Sequence, residues 1–201
     1  MKFVMESGRI SRRSLLLSGA ATACRTGADM AMLPDFGELP EFSLWDQNGK
    51  AFRRSDLAGG VWVLDFIFTR CTSVCPRMSQ EMRKVQDRIE KLPKVGLLSV
   101  SIDPEYDKPE VLRNYARRYK ADSRWRFLTG DREIVRAMQV KTRRHMDPAE
   151  IDFHSKQFFL VDGDGFVRGV YSIIVAGKLE ELMQDVGILL RNPARPEPGV
   201  S

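Results

Sequence analysis

Cysteine is scarce in this 201-residue chain: three residues, too few for a disulfide scaffold. Histidine is scarcer, at two. No apolar run approaches the roughly twenty residues that cross a bilayer as a helix, which excludes a multi-span membrane protein. No segment repeats. A dominant charge is also lacking. The net charge is +5, but residues 1–23 hold Lys2, Arg9, Arg12 and Arg13 against Glu6, which leaves +2 on the remainder. That near-neutral balance gives no electrostatic footprint for nucleic acid. What is present is 43% hydrophobic and 29% charged residues, ordinary for a fold with a core, which excludes a wholly disordered or collagen-like chain.

The first 23 residues read as an address. Ser11-Arg12-Arg13-Ser14 precedes a short apolar run from Leu15 to Ala23 with Ser18 and Gly19 inside it. A basic segment, a short apolar segment and small residues at its end describe an export signal, here of the twin-arginine type. An amphipathic or unstructured start is the alternative. Cys24 follows Ala21-Thr22-Ala23 and carries two readings: a lipoprotein processing site that would anchor the chain, or an incidental thiol after cleavage at an Ala-x-Ala-like stretch. Either places the mature protein outside the cytoplasm, where disulfides persist.

Residues 24–38 lack periodicity and contain Gly27, Pro34 and Gly37, as a linker does. Residues 192–201 hold Pro193, Pro196, Pro198 and Gly199 and read as a loose tail. The domain is therefore 39–191. It opens with strands at 42–45 and 50–52 around Asn48-Gly49, a strong hairpin signal. Residues 61–68 form a nearly continuous apolar run, as in a strand buried on both faces, and 95–102 form another. Met78, Met82, Val85, Ile89 and Leu92 recur at helical spacing. A second helix follows Pro109. A short strand at 126–128 and a short helix at 131–139 come next. Strands at 157–161 and 166–171 flank Asp162-Gly163-Asp164-Gly165, and Leu179, Leu182, Met183, Val186 and Leu190 mark a final helix. The order predicts an α/β fold: a mixed sheet, parallel first and antiparallel last, with helices on both faces.

The chemistry concentrates after the first long strand, at Thr69-Arg70-Cys71-Thr72-Ser73-Val74-Cys75-Pro76. Pro76 suits the first helical position, which puts Cys75 near the N-cap, where partial positive charge favours a thiolate. Arg70 and Arg77 would add to this if they point inward. Cysteines at i and i+4 meet over one turn, so a disulfide and a shared metal are both open. So is a pair of packed structural cysteines. Two thiolates plus an imidazole would suit copper or zinc, and thiolates favour Cu(I). His145, among charged residues, reads as exposed. His154, just before the strand at 157–161, reads alone as a packed residue and beside a cysteine pair as a ligand.

These stretches in order resemble the Sco/SenC family of thioredoxin-like copper proteins, over roughly residues 39–190. Leu39-Pro-Glu-Phe-Ser-Leu-Trp-Asp-Gln-Asn-Gly49 is similar to its opening hairpin, and Phe66-Ile-Phe-Thr-Arg-Cys-Thr-Ser-Val-Cys-Pro-Arg-Met78 to its metal motif. Ser99-Val-Ser-Ile-Asp-Pro-Glu-Tyr-Asp-Lys-Pro109 and Phe153-His-Ser-Lys-Gln-Phe-Phe-Leu-Val-Asp-Gly-Asp-Gly165 resemble its later strands and loops. The resemblance implies a thioredoxin-like fold with copper ligands at Cys71, Cys75 and His154. It also implies a role in delivering copper to, or reducing cysteines of, the copper A site of cytochrome c oxidase, often from a tether facing the periplasm. Asp103 and Asp107 match acidic positions of the family and are read here as a turn and a helix start. Thr72-Ser73 stand where the family often has Pro-Asp, and Phe153 where it often has Asp. Thioredoxins place a proline before the strand facing their cysteines; here none occurs from 149 to 192, and His154 stands there.

Two functions share that site: an exported copper chaperone, and a thiol–disulfide oxidoreductase with Cys71 as attacker and Cys75 as resolving thiol. A helix start argues for the reverse assignment. A peroxidase reading of Thr72-x-x-Cys75 lacks the expected preceding proline. A calcium loop counted from Asp162 has Val167 and Ile173 where Gly and Glu are needed.

Overall fold

The computed structural model describes residues 32–143, 156–172 and 175–192. Its first strands, β1 (Ser43–Asp46) and β2 (Ala51–Arg53), form an antiparallel hairpin. The Asp46 carboxylate accepts the amides of Asn48 and Lys50 at 2.8 and 2.9 Å, and Gly49 takes φ of 76°, a left-handed conformation that costs glycine least. β3 (Val61–Ile67) pairs parallel with β4 (Val95–Ser101), which pairs parallel with β5 (Trp125–Thr129). β6 (Gln157–Val161) runs antiparallel to β3, and β7 (Val167–Ser172) antiparallel to β6. Among the described residues these seven strands form one sheet in the order β2-β1-β5-β4-β3-β6-β7.

Four helices cover it: α1 (Val74–Arg88), α2 (Pro109–Arg118), α3 (Arg132–Arg143) and α4 (Lys178–Arg191). On one face Val63 and Ile67 of β3 pack with Met78 and Met82 of α1, Leu112 and Tyr115 of α2, and Leu182 and Val186 of α4. On the other, Leu64 and Phe66 pack with Leu44 of the hairpin and Val135 and Met138 of α3. A strand covered on both faces has no polar side to present, which is why β3 and β4 lack alternation. This is the expected mixed sheet with helices on both faces, and the fold is thioredoxin-like.

Residues 32–38, within the stretch that reads as a linker, lie along β7. The amide of Phe36 bonds the Val167 carbonyl and that of Val167 bonds Gly37, each at 2.9 Å. The fully buried Arg168 guanidinium reaches the carbonyls of Leu33 and Pro34 at 2.8 and 2.9 Å while paired with Asp162 at 3.0 Å. Asp162 also accepts the amides of Asp164 and Phe166, so the Asp162–Gly165 turn is a hairpin bend.

Candidate functional site

The three parallel strands all end at one edge of the sheet, where loops carry ligand-binding groups in such folds. The loop after β3 holds Cys71 and the first turn of α1 holds Cys75, both as free thiols. Cys71 is 8% exposed and Cys75 3%, each covered by the core beneath α1. The amide of Cys71 bonds the Phe68 carbonyl at 3.1 Å and closes a turn. α1 then begins at Val74, with Ser73 as its N-cap position, though that serine's side chain does not bond a helix amide. The Cys71 sulfur takes the capping role, accepting the Cys75 amide at 3.5 Å, with the Ser73 hydroxyl 3.6 Å away. One of the orphan amides of the helix start is thereby satisfied by sulfur.

This corrects the expected assignment of the helix-start effect. Burial alone would raise the Cys71 thiol, but the amides of Cys75 and Ser73 and the Ser73 hydroxyl outweigh it and bring the thiol down to about 7. Cys75 lies inside the first turn, where a backbone bond at Phe68 lowers its thiol without offsetting its burial. Burial, followed by the neighbouring Cys71 sulfur and the Asp65 carboxyl, pushes it up to about 12. The two thiols are therefore strongly unequal, with the outer one more acidic. Neither arginine joins this: Arg70 is 59% exposed, pairs with Asp103 at 2.5 Å and stacks on Tyr106 at 4.4 Å, and Arg77 is exposed.

The sequence reading took Asp103 and Asp107 only as a turn and a helix start, and did not single out Asp65. Asp103 and Asp107 do form a turn before α2, the Asp107 amide bonding the Asp103 carbonyl at 2.9 Å. Their side chains, however, grip the cysteine loop: Asp103 holds Arg70, and buried Asp107 holds Thr69 by its amide at 3.0 Å and by its hydroxyl. Asp65 of β3 is fully buried on the face shared with the cysteines, and neither carboxylate oxygen has a partner at hydrogen-bond geometry. Burial raises it to about 7, offset only in part by Ser99, its register partner on β4. An interrupting Asp in an apolar run was the available signal.

Cys24, His145 and His154 lie outside the described residues. Among the described residues no cluster of three or more His, Cys, Asp or Glu side chains is placed to hold a metal. Cys71 and Cys75 supply two soft donors, so a third donor of these types has to come from elsewhere, and both histidines of the chain are among those other residues. β6, which follows position 154 in sequence, runs antiparallel to β3, so its first residue, Gln157, lies toward the end of β3 that leads into the cysteine loop.

The family model described as SCO1/SenC matches residues 33–188. A SCO1/SenC family lipoprotein from Bacillus anthracis shares 34% identity, with 75% of this chain and 93% of that chain covered and a TM-score of 0.66. BsSco, described with a disulfide switch as a member of the Sco family of cytochrome c oxidase assembly proteins, shares 30% identity over 80% of this chain and 96% of its own, at a TM-score of 0.69. ScoI of Bradyrhizobium japonicum, solved with copper bound, shares 26% identity over 75% and 98%, at 0.61.

Proposed function

The chain belongs to the SCO1/SenC family, and from that premise we propose that it is a copper-binding metallochaperone whose ligands are Cys71, Cys75 and His154. The observation that carries this reading is the pair of free sulfurs gathered over the first turn of α1. Two thiolates and an imidazole make a donor set for copper, and three donors leave room for a partner's thiolate or imidazole to enter. Transfer then proceeds by ligand exchange, with copper as cargo. The solved relative with copper bound supports the metal, and the description of BsSco supports a part in cytochrome c oxidase assembly; the client is then the copper A site of that oxidase, as the resemblance implies, or a related copper protein. The twin-arginine-like stretch at 1–23 supports export to the periplasmic side, with Cys24 either a lipid anchor or an incidental thiol left after cleavage; among the described residues no helix is long and apolar enough to cross a membrane.

The test is a Cu(I) titration of the reduced protein against a competing chelator. One equivalent binds tightly, and Cys71→Ser or Cys75→Ser each abolishes binding. His154→Ala weakens Cu(II) more than Cu(I) and changes the Cu(II) absorption and EPR spectra. Unchanged spectra remove His154 from the ligand set, and a wild-type protein that loses Cu(I) to a weak chelator ends the metallochaperone reading.

The unequal thiols favour a second reading, a thiol–disulfide oxidoreductase acting on exported cysteines. An acidic outer thiol attacks readily near neutral pH and a buried partner resolves the mixed disulfide. Mixing the dithiol form with an oxidised copper A domain, and the copper-loaded form with the apo domain, separates the two. Reduction without metal transfer selects the oxidoreductase.

A further inference from the structure

The geometry around Thr69 reaches beyond the ligands themselves. Asp107 lies 38 positions away in sequence, after β4, and its carboxylate is fully buried. One oxygen accepts the Thr69 amide at 3.0 Å and the Ser101 hydroxyl at 2.5 Å, and the other accepts the Thr69 hydroxyl. The chain leaving β3 is then fixed at three successive residues: Thr69 by Asp107, Arg70 by Asp103, and Cys71 by the Phe68 carbonyl. Only after these does the Cys71 sulfur meet the Cys75 amide at 3.5 Å. Hydrogen bonds weaken steeply with misalignment, so a sub-ångström change of exit at Thr69 alters what the sulfur receives.

We propose that Asp107 is a positioning residue for the dithiol, holding the exit of β3 so that the Cys71 sulfur stays over the first amides of α1. This deepens the reading of Cys71 and Cys75 as the working pair and rests on it. Both oxygens of Asp107 are acceptors facing donors. An asparagine there turns an NH2 toward at least one of them and loosens Thr69. The Cys71 sulfur then loses part of its amide support. The reduced form loses stabilisation, and the equilibrium moves toward the disulfide.

The test reads the thiol–disulfide equilibrium with glutathione, which involves no copper. One oxidised glutathione is reduced to two thiols as the Cys71–Cys75 bond forms, two protons passing from protein to glutathione. Asp107→Asn is expected to shift this equilibrium about tenfold toward the protein disulfide, equivalent to about 30 mV. Thr69→Val, which keeps the amide and loses the hydroxyl, shifts it about threefold the same way, and Thr69→Ser restores the wild-type value. Tyr171→Phe, which breaks a 2.6 Å bond between β7 and Asp185 of α4, away from the Thr69–Asp107 contacts, lowers stability and leaves the equilibrium in place. A folded Asp107→Asn within twofold of wild type overturns the inference. If that variant does not fold, Thr69→Val decides alone, and no shift overturns it. A wild-type protein that forms no disulfide in glutathione ends the dithiol reading itself, a different outcome from an unmoved variant.

Discussion

At the scale of single residues, the asymmetry of the two sulfurs has a direct kinetic signature. Within the Cys71–Cys75 pair, alkylation of the reduced protein by iodoacetamide should rise through pH about 7 and mark Cys71 and not Cys75, because Cys75 stays protonated to about 12. Ser73→Ala removes one of the groups that lower Cys71 and should move that rise to higher pH. Mass spectrometry of the labelled peptide across a pH series checks both; equal labelling of the two cysteines at pH 8 contradicts the asymmetry. Asp65 gives a second prediction, this time of stability. Its folded value of about 7 stands above the ordinary 3.8. Between about pH 4 and 7 the folded chain keeps a proton that the unfolded chain releases. Stability is therefore highest below about pH 4 from this group and falls as pH rises through 7, by up to about 4 kcal/mol. Asp65→Asn should flatten that slope and stabilise the fold at pH 8. Urea midpoints of the two proteins from pH 4.5 to 8 decide it, and parallel curves would exonerate the carboxyl.

At the scale of elements, β7 stands at the sheet's end, where bare amides and carbonyls invite pairing with another chain. Residues 36–38 occupy that edge, and Arg168 fastens the segment through Leu33 and Pro34. Arg168→Met leaves the Asp162 carboxylate without its buried partner and two carbonyls without donors. The expected loss is about 3–5 kcal/mol, the usual cost of breaking one side of a buried pair. Chemical denaturation measures it, and limited proteolysis within 32–38 should speed up together with it. A variant as stable as wild type would mean that the segment is held by its apolar contacts alone. The cysteine loop obeys the same element-level logic from the other end: a helix needs acceptors for its first amides, and here a sulfur from the preceding loop provides one.

Across the molecule, what was legible in the sequence was what depends on neighbours along the chain. Both hairpins, the doubly covered strands and the helix at Val74–Arg88 follow from local pattern, because burial on both faces and turn chemistry write themselves into consecutive residues. The cysteine pair was legible for the same reason, lying at a strand end with a proline just after it. Contacts between distant segments were not. Asp107 pairs with a residue 38 positions earlier, and nothing at Asp107 distinguishes a loop anchor from a helix start. Nothing beside Arg168 in the sequence marks it as buried; its burial appears only once residues 33 and 34 are folded against it. The sense of the sulfur asymmetry was hidden because it turns on where a helix begins: Val74 rather than Pro76. The Arg168 clasp has a mechanical corollary. Any pull transmitted from upstream along the backbone meets a buried guanidinium and an edge-paired segment before it reaches a strand of the sheet. Two strands, β6 and β7, stand between that load and β3. A load entering by the leading segment can therefore drag or swing the domain while the cradle of its sulfurs keeps its shape.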